Sequence, residues 1–344
     1  MSDKYQYAMA CGRYFCLQQS MVRLLWYLGR YSPSLELHTG PTRPQIMRII
    51  GRLIAYKLRL LPEVNFLNLP FYGNVCLPVH RGFKIFDFHR KTVRKLMAAD
   101  CDDEVVSNEI ETLRQAGGLD FAPRILQWNL KERWYTEDFV IGCPFYANPR
   151  VKTNVFSKIF QRQIVPCLEE MILWQQPLVV KIDKYVNQLS KKIAERRTDV
   201  AAIDDSKTDR IAEFVNANAS CILKNANGKI SLVFSHGDFS LVNILKTANG
   251  IKVIDWEGAA KRNPLYDLYN YFLTESYYGR TPAKMDTEIS EGIKFLQARL
   301  VTTSPEIAAT LTASSDIYRW LYYLERIGML LERDLNTKIL EVIL

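Results

Sequence analysis

Two short polar motifs at the ends of one predicted β-hairpin constrain this chain more than any other feature. His236-Gly-Asp238 is followed after four residues by Asn243, and a second carboxylate, Asp255, comes about a dozen residues later. Residues 244–254 contain two apolar segments around an Asn-Gly turn, a pattern typical of two antiparallel strands. Such a hairpin places Asn243 and Asp255 at neighbouring strand ends, with Asp238 on the loop that leads in.

These groups match what phosphoryl transfer to a hydroxyl requires. One carboxylate orients the hydroxyl and accepts its proton, while a carboxylate and an amide hold Mg²⁺ against nucleotide phosphates. The spacing therefore predicts Asp238 as the base, with Asn243 and Asp255 as metal ligands. His236 is predicted to be structural rather than a base. The alternative is an ordinary hairpin with turn-type Asp and Asn residues.

The segment resembles the catalytic and metal-binding loops of the aminoglycoside phosphotransferase and choline kinase superfamily. Asn263-Pro-Leu-Tyr-Asp267-Leu is similar to a motif that these enzymes often carry next. The resemblance is strong over 231–275 and weaker over 75–147. It implies a two-lobed, protein-kinase-like α+β fold with a small antiparallel-sheet N-lobe, a larger mostly helical C-lobe and a basic helical N-terminal extension. It also implies ATP and Mg²⁺ as cofactors, and a bracing role for Asp267 beneath the catalytic loop.

A kinase-like nucleotide site needs a lysine on a strand. Alternation of apolar and polar residues predicts strands at 83–88 and 92–97, joined by a turn. Lys95, on the second strand, matches the nucleotide lysine of the superfamily in position. The alternative is a solvated lysine on an edge strand, since Lys84 and Arg94 are similar residues on the same hairpin.

The partner of that lysine is expected on the next helix, predicted from Val105 to Ala116 and ended by two glycines. Glu109 borders the apolar face of this helix, which favours it over Glu111 as the partner of Lys95.

The phosphate-binding turn departs from the protein-kinase pattern, because no G-x-G-x-x-G is present. The turn before the hairpin offers only Gly82, whose backbone could approach phosphate, and Arg81, which could add charge. The alternative is a plain turn. Residues 133–137 are predicted to be a strand, and the segment from Glu137 through Phe139 to Gly142 resembles the link between lobes whose backbone meets adenine.

The acceptor is constrained mainly by what surrounds the catalytic motif. Gly237 stands where many protein kinases have arginine, and the short stretch from Asp255 to Asp267 offers no peptide-docking loop. A small molecule or a glycan is therefore favoured over a protein.

Mixed charges after Asp255 argue mildly against a polycation such as an aminoglycoside. Glu257 matches the Trp-Glu of choline-kinase-like members, and choline would need an aromatic cage. The aromatic residues that could form a cage, or else belong to the core, are Tyr266, Tyr269, Tyr271, Tyr277, Tyr278, Trp320, Tyr322 and Tyr323.

The composition fits a soluble globular protein, with 48% hydrophobic and 24% charged residues among 344. Seven scattered cysteines and four histidines leave little scope for a zinc site and favour reduced thiols in the cytoplasm. The sequence shows neither a signal peptide nor a stretch that approaches a transmembrane helix.

The first 70 residues are unusually basic, with nine basic against three acidic residues, a net charge of +6. Apolar residues repeat at helical spacing over 46–61, with arginines on the other side. Such a helix could lie on an anionic membrane, so residues 43–61 are a candidate for peripheral contact at its inner face. The alternative is a helix packed on the kinase body. Nucleic acid is not expected, because no readout motif accompanies the charge.

These observations divide the chain into an extension (1–70), a nucleotide-binding N-lobe (71–142) and a helical C-lobe (143–344). Within the last, helices are predicted at 154–176, 178–197, 209–224, 285–300 and 316–333, with a surface loop at 198–208. The predicted function is ATP-dependent transfer of phosphate to a hydroxyl of a small molecule or glycan. Alternatives are a choline/ethanolamine-type or aminoglycoside kinase and a pseudokinase-like scaffold.

Overall fold

The computed structural model describes residues 4–31, 43–61, 66–145, 157–197, 205–225, 228–273 and 282–332. The chain divides into two compact units, one of Met1–Val151 with Leu241–Glu257, the other of Lys152–Ser240 with Gly258–Leu344. The N-terminal 70 residues do not separate from the nucleotide-binding region, unlike the predicted division. The hairpin after the catalytic motif groups with the first unit.

The first unit contains an eight-stranded antiparallel sheet. Its strands are β1 (Tyr5–Ala10), β2 (Arg13–Cys16), β3 (Phe66–Leu69), β4 (Val75–Val79), β5 (Gly82–Asp87), β6 (Thr92–Met97), β7 (Ile125–Asn129) and β8 (Trp134–Asp138). They lie in the order β3-β1-β2-β4-β5-β6-β8-β7. The predicted hairpin at 83–97 is confirmed, and its register places Lys84 directly opposite Lys95. Because side chains alternate across a strand, both lysines lie on the same face of the sheet.

The N-terminal extension is only partly helical. It contains α1 (Met21–Tyr31) and α2 (Arg43–Lys57), but β1, β2 and β3 join the sheet and widen it. The predicted basic helical extension is therefore correct for α1 and α2, but the prediction missed the three strands, which are defined by pairing with the sheet.

The apolar face of α2 is used inside the protein. Ile49, Leu53 and Tyr56 are buried in one hydrophobic cluster with residues of the sheet and of α1, while Arg48 and Arg52 are exposed. The packing alternative therefore describes this helix, and its burial gives membrane contact no support. Within the described ranges, every helix is too short or too polar to cross a bilayer.

Two further elements complete the first unit around the site. Helix α3 (Asp103–Ala116) begins at Asp102, whose side chain accepts a hydrogen bond from the backbone N–H of Glu104. A three-stranded sheet joins β9 (Cys143–Pro144) to the hairpin of β12 (Ile244–Thr247) and β13 (Gly250–Val253). The hairpin predicted from the Asn-Gly turn is thus confirmed.

The second unit is mostly helical. Its helices are α4 (Val165–Leu173), continuing a π-helical turn (Phe160–Ile164), α5 (Ile182–Arg197), α6 (Asp205–Asn225), α7 (Tyr266–Leu273), α8 (Pro282–Thr303), α9 (Pro305–Ala313) and α10 (Ser315–Glu332). A small sheet has the order β10-β11-β14, with β10 at Leu178–Lys181, β11 at Lys229–Ser235 and β14 at Ala260–Arg262.

Two predictions of local structure in this unit need correction. Residues 178–181 form β10 rather than the start of a helix, because they pair antiparallel with β11. Helix α6 begins at Asp205, four residues before Asp209, which was predicted to cap it. Most of the predicted loop at 198–208 lies outside the described residues.

Candidate active site

Lys95 and Glu109 meet in the interior of the first unit. The Lys95 ammonium donates to Glu109 Oε1 at 2.7 Å, and Lys95 is 1% exposed. The Tyr135 hydroxyl donates to the same oxygen at 3.0 Å, which fixes the carboxylate. Glu111 faces outward and binds Arg114 instead. The structure therefore brings Lys95 together with the glutamate that the helical-face argument favoured.

A second carboxylate, Glu257, also binds Lys95. Burial lowers the pKa of Lys95, but the carboxylates of Glu109 and Glu257 outweigh it and hold the pKa above its usual value. Lys95 is therefore charged in this setting. Glu257 was considered only as a marker of the acceptor, and its sequence position gave no signal of this contact.

Lys84 is a second lysine of the site that the sequence reading passed over as an ordinary strand residue. It is 6% exposed, and its ammonium lies 3.2 Å from Asp255 Oδ1. Its position opposite Lys95 on the neighbouring strand explains why both cations reach residues 255–257. The alternating pattern of 83–88 could have indicated the burial of Lys84, though not its contact with Asp255, since it places Lys84 on the same face as Phe86, which is buried.

The β12–β13 hairpin places Asn243 and Asp255 at adjacent strand ends. The Ile254 N–H donates to the Asn243 carbonyl at 2.9 Å. The last backbone hydrogen bond of the hairpin therefore joins Asn243 to the residue just before Asp255. Asp255 has φ of 69°, a left-handed conformation that is uncommon for a residue other than glycine. Such strain at a carboxylate is typical of functional sites.

Asn243 and Asp255 fit a magnesium ion by their chemistry. Mg²⁺ is commonly held by one or two carboxylate or amide oxygens together with nucleotide phosphates and water. Asp255 already accepts from one cation, the Lys84 ammonium. In the described ranges, no group of three His, Cys, Asp or Glu side chains forms a metal cage by itself.

The predicted link residues line a narrow cavity in the same unit. Glu137, Phe139, Lys84 and Asp255 are among its lining residues, and its volume is about 20 Å³. The Phe139 ring is buried in the sheet's core, and its N–H donates to the Lys91 carbonyl at 2.9 Å. The Phe139 N–H therefore already has a partner, so Phe139 could form a hydrogen bond with an adenine ring only through its carbonyl oxygen.

His80 and Arg81 form a tight two-residue connection between β4 and β5, and Gly82 begins β5 opposite Val79. A Cβ on Gly82 would lie 2.1 Å from the Leu96 carbonyl oxygen, so close strand packing accounts for this glycine. Neither Arg81 nor Gly82 is among the lining residues of the cavity that contains Lys84 and Asp255. The plain-turn alternative explains the glycine without a phosphate.

In the second unit, buried groups brace the loop that carries Asp238. The backbone N–H groups of His236 and Gly237 donate to the two oxygens of Asp267, at 2.7 and 3.1 Å. Burial raises the pKa of Asp267, and these contacts with His236 oppose that rise. The His236 Nδ1 accepts from the Asp238 N–H at 3.1 Å, so His236 has the predicted structural place.

Arg326 on α10 is the residue that sequence reasoning missed entirely. Its guanidinium lies 3.3 Å from Asp238 Oδ1 and donates to the Gly237 carbonyl at 3.1 Å. Arg326 is 3% exposed, and although burial lowers its pKa, the neighbouring Tyr266, Asp238 and Tyr322 keep it well above its usual value. The Asp238 carboxylate is thus held by a buried cation that is itself fixed by the Gly237 carbonyl.

The same helix braces the following motif through Glu325. Its carboxylate accepts from the Tyr185 hydroxyl at 2.6 Å and from the backbone and side chain of Asn263 at 3.0 and 2.6 Å. Burial raises the pKa of Glu325 to about 7, although these hydrogen bonds and the charge of Arg262 lower it.

Four of the eight candidate cage aromatics are core residues. Tyr266, Tyr269 and Tyr271 of α7 and Tyr322 of α10 are each at most 2% exposed, and their rings pack with one another or with neighbouring rings. Trp320 and Tyr323 are half-buried, and Tyr277 and Tyr278 lie outside the described residues. The core alternative therefore holds for these four tyrosines.

The two units hold chemically different groups. The first holds two charged lysines and carboxylates suited to phosphate and a divalent cation. The second holds a partly exposed carboxylate, Asp238, suited to accept a proton.

Comparisons with known proteins agree with this arrangement. The choline/ethanolamine kinase family model matches residues 137–298, a little under half of the chain. A search of curated proteins finds no match. Among solved structures, an ethanolamine kinase of Plasmodium vivax is similar over 95% of this chain and 92% of its own, at 14% identity with a TM-score of 0.52.

Two further structures are similar over smaller shares. Choline kinase from Cryptosporidium parvum is 17% identical, with 79% of this chain and 86% of that chain covered and a TM-score of 0.48. Aminoglycoside phosphotransferase APH(3'')-Id from Streptomyces rimosus, solved with ADP and streptomycin, is 14% identical, with 74% and 92% covered and a TM-score of 0.49. The predicted kinase-like α+β fold and the predicted resemblance are confirmed.

Proposed function

We propose that this chain, which matches the choline/ethanolamine kinase family model over residues 137–298, is a kinase with an alcohol acceptor that transfers the γ-phosphate of ATP to a hydroxyl of a small molecule. Asp238 accepts the proton of that hydroxyl. Lys95, held by Glu109, binds the nucleotide phosphates, and Asn243 with Asp255 holds Mg²⁺.

One observation carries this proposal: two buried lysines on adjacent strands are each paired with a carboxylate of the segment 255–257. Two cations brought together in a protein interior repel each other, and burial adds a desolvation cost. Such an arrangement is stabilised when a polyanion binds between them. A nucleotide triphosphate supplies that charge.

The residues divide the work between the phosphates and the acceptor. Bound Mg²⁺ supplies charge neutralisation at the transferred phosphoryl group. Lys95 orients the phosphates, and Asp238, whose Oδ1 accepts from the Arg326 guanidinium, orients the attacking hydroxyl. Most of the rate acceleration then comes from positioning and from preorganised charge.

Lys84 has a distinct part in this proposal. Its ammonium pairs with Asp255, one of the two residues that would hold Mg²⁺, so Lys84 would compete with the metal for this carboxylate while the nucleotide is absent. With a nucleotide bound, the ammonium of Lys84 would lie beside Lys95 as a second cation for the phosphates.

The family match makes an amino alcohol of the choline or ethanolamine type the first acceptor to test. The buried tyrosines of α7 do not offer a cage for a quaternary ammonium group. Ethanolamine and choline, compared with an aminoglycoside and a glycan, therefore form the screening set. The scaffold alternative is disfavoured, because Lys95, Glu109 and Asp255 are all present and paired.

Nucleotide binding to wild type and to Asp255→Ala, followed by thermal shift with and without Mg²⁺, tests the proposal. We expect ATP to raise the melting temperature in a Mg²⁺-dependent way, and Asp255→Ala to lose that dependence. The absence of any shift with ATP or GTP in wild type would favour the scaffold alternative.

The part of Lys84 is tested by calorimetry on Lys84→Met, with the exposed Lys246→Met of the same unit as the matched control. Loss of one charge-assisted contact predicts ATP binding weaker by about tenfold. Without nucleotide, the same variant should bind Mg²⁺ more tightly than wild type. If Lys84→Met matches Lys246→Met in both titrations, Lys84 has only a structural role.

A further inference from the structure

A second cavity lies in the first unit, at the end of the sheet where β2 finishes and α1 begins. Its volume is about 380 Å³, within the range of small-molecule sites. Its lining residues come from β1, the β2–α1 connection, α1, the segment just before β4, and the end of β5 with the turn that follows, and they include neither Lys84, Lys95 nor Asp255. We call it the Tyr–Arg cavity, after its tyrosines (Tyr5, Tyr27, Tyr72) and arginines (Arg23, Arg90).

The floor of the Tyr–Arg cavity is a rigid network of buried amides. Gln19 donates to the carbonyls of Cys16 and Asn74 at 3.0 and 2.8 Å, and the Asn74 amide donates back to Gln19 Oε1 at 3.0 Å. Asn74 Oδ1 accepts from the Phe88 N–H at 2.8 Å. Gln19 and Asn74 are 5% and 2% exposed. The floor is therefore formed before any ligand arrives, which lowers the entropic cost of binding.

The charge of the lining is positive. Asp87 Oδ1 already accepts from the backbone N–H groups of His89 and Arg90, at 3.1 and 3.0 Å, so this carboxylate is largely used by its own turn. Arg90 lies 3.9 Å from the other oxygen of Asp87, a loose pairing. Arg23 forms no ion pair with a carboxylate in the described part of the chain. Two guanidinium groups thus face one carboxylate that is already hydrogen-bonded.

The walls of the cavity are aromatic. The rings of Tyr5 and Tyr72 meet edge to face with centroids 5.5 Å apart, and Tyr27 contributes a third ring. The Tyr72 hydroxyl accepts from the Asn74 amide at 3.4 Å, so the ring is tied to the floor. Fixed aromatic rings favour a flat or ring-shaped partner, whereas guanidinium groups favour phosphate or carboxylate oxygens.

We propose that the Tyr–Arg cavity binds a small organic anion, a phosphate monoester attached to a ring, separately from the nucleotide site. Arg23 and Arg90 bind the phosphate group, and the tyrosines hold the ring above the Gln19–Asn74 floor. The proposal does not depend on the reaction assigned to the chain, because it uses none of the residues that the reaction requires.

Calorimetric titration of the full chain with phenyl phosphate tests the proposal, since this probe carries both a ring and a phosphate group. We expect saturable binding that is weakened about tenfold by Arg23→Ala or Arg90→Ala, each of which removes one charge-assisted contact. Inorganic phosphate, which lacks the ring, should bind more weakly than the probe. Arg23 and Arg90 are exposed, so neither variant should impair folding, and their melting temperatures check this.

Two controls make the outcome decisive. Arg48→Ala removes an equally exposed arginine of α2 that does not line the cavity, and it should bind the probe as wild type does. Lys84→Met should also leave binding unchanged. Binding that is lost in Lys84→Met but kept in Arg23→Ala would mean that phenyl phosphate occupies the nucleotide site, which overturns the proposal. Equal binding to Arg48→Ala and Arg23→Ala, or no saturation by about 10 mM, overturns it as well.

Discussion

The charged side chains of the first unit form ion pairs with one another, whereas Asp238 of the second unit is held in place by the buried residues around it. Lys95 is shared by Glu109 and Glu257, and Lys84 is paired with Asp255. Asp238, by contrast, is held by Arg326 and by a loop whose backbone is hydrogen-bonded to buried Asp267.

This difference separates groups that must change partners from a group that must stay still. Charged residues paired with each other can exchange those partners for phosphate and metal when a nucleotide binds. A catalytic base works best when its geometry is fixed before the substrate arrives. We therefore expect changes in the first unit to alter binding, and changes in the second to alter turnover or stability.

The largest expected effect is that of Asp238→Asn on turnover. Loss of a general base typically lowers kcat by about 10²- to 10⁴-fold. Because the nucleotide groups belong to the first unit, ATP affinity should stay within about twofold of wild type. Steady-state kinetics with ethanolamine or choline, together with calorimetry for ATP, measures both.

The matched control is Asp183→Asn, an exposed aspartate of α5 in the same unit, which should leave kcat unchanged. Asp238→Asn with wild-type turnover would show that another group accepts the proton. Parallel loss of turnover and of ATP affinity would remove the distinction between the two units.

The parts of the site that could be predicted are those encoded by local spacing. Lys95 follows from strand alternation, Glu109 from a helical face, and the Asn243–Asp255 hairpin from its Asn-Gly turn. The residues that were missed reach their partners across long sequence distances: 171 residues separate Lys84 from Asp255, and 88 separate Arg326 from Asp238. No local pattern specifies such contacts, because they depend on tertiary packing.

The fold shows the same limit. The kinase-like class followed from the motifs, but β10 was read as a helix, because Leu178–Lys181 becomes a strand only by pairing with β11. The tyrosines of α7 are another example. A run of aromatic residues is compatible with a cage or with a core, and only the burial of the whole helix decides between them.

Glu325 is one of the buried groups that hold the second unit in place, and its titration makes the stability of the fold depend on pH. Glu325 has a folded-state pKa of about 7, raised above its ordinary value of 4.5. Between these pH values the folded state binds more protons than the unfolded state, so stability decreases as pH rises. The slope contributed by Glu325 reaches about 1.4 kcal/mol per pH unit, or roughly 3 kcal/mol over the whole interval.

Glu325→Gln removes the titration, so its free energy of unfolding should vary less between about pH 4.5 and 7 than that of wild type. Loss of one acceptor adds an offset that does not depend on pH. Urea unfolding at several pH values measures the slope, and Glu213→Gln, an exposed residue of α6, should keep the wild-type slope. An unchanged slope in Glu325→Gln would assign the pH dependence to other groups.

Two glycines of the second unit both have positive φ but differ in the space around them. Gly237 has φ of 84° and Gly228 has φ of 99°. A Cβ on Gly237 would lie 2.2 Å from the Gly258 carbonyl oxygen, whereas nothing lies within 4 Å of a Cβ on Gly228. Alanine at either position should cost about 1–2 kcal/mol for the left-handed backbone.

Gly237→Ala should cost about 1–3 kcal/mol more than Gly228→Ala, because only there must the backbone move to relieve a collision. The Cβ of an arginine, which many protein kinases have before their catalytic aspartate, would meet the same carbonyl oxygen at this position. Chemical denaturation gives the two stabilities, and kinetics should show a lower kcat only for Gly237→Ala, since its strain falls on the residue before Asp238. Equal losses of stability, with turnover retained in both variants, would mean that the catalytic loop yields easily and is not the fixed element that its hydrogen bonds indicate.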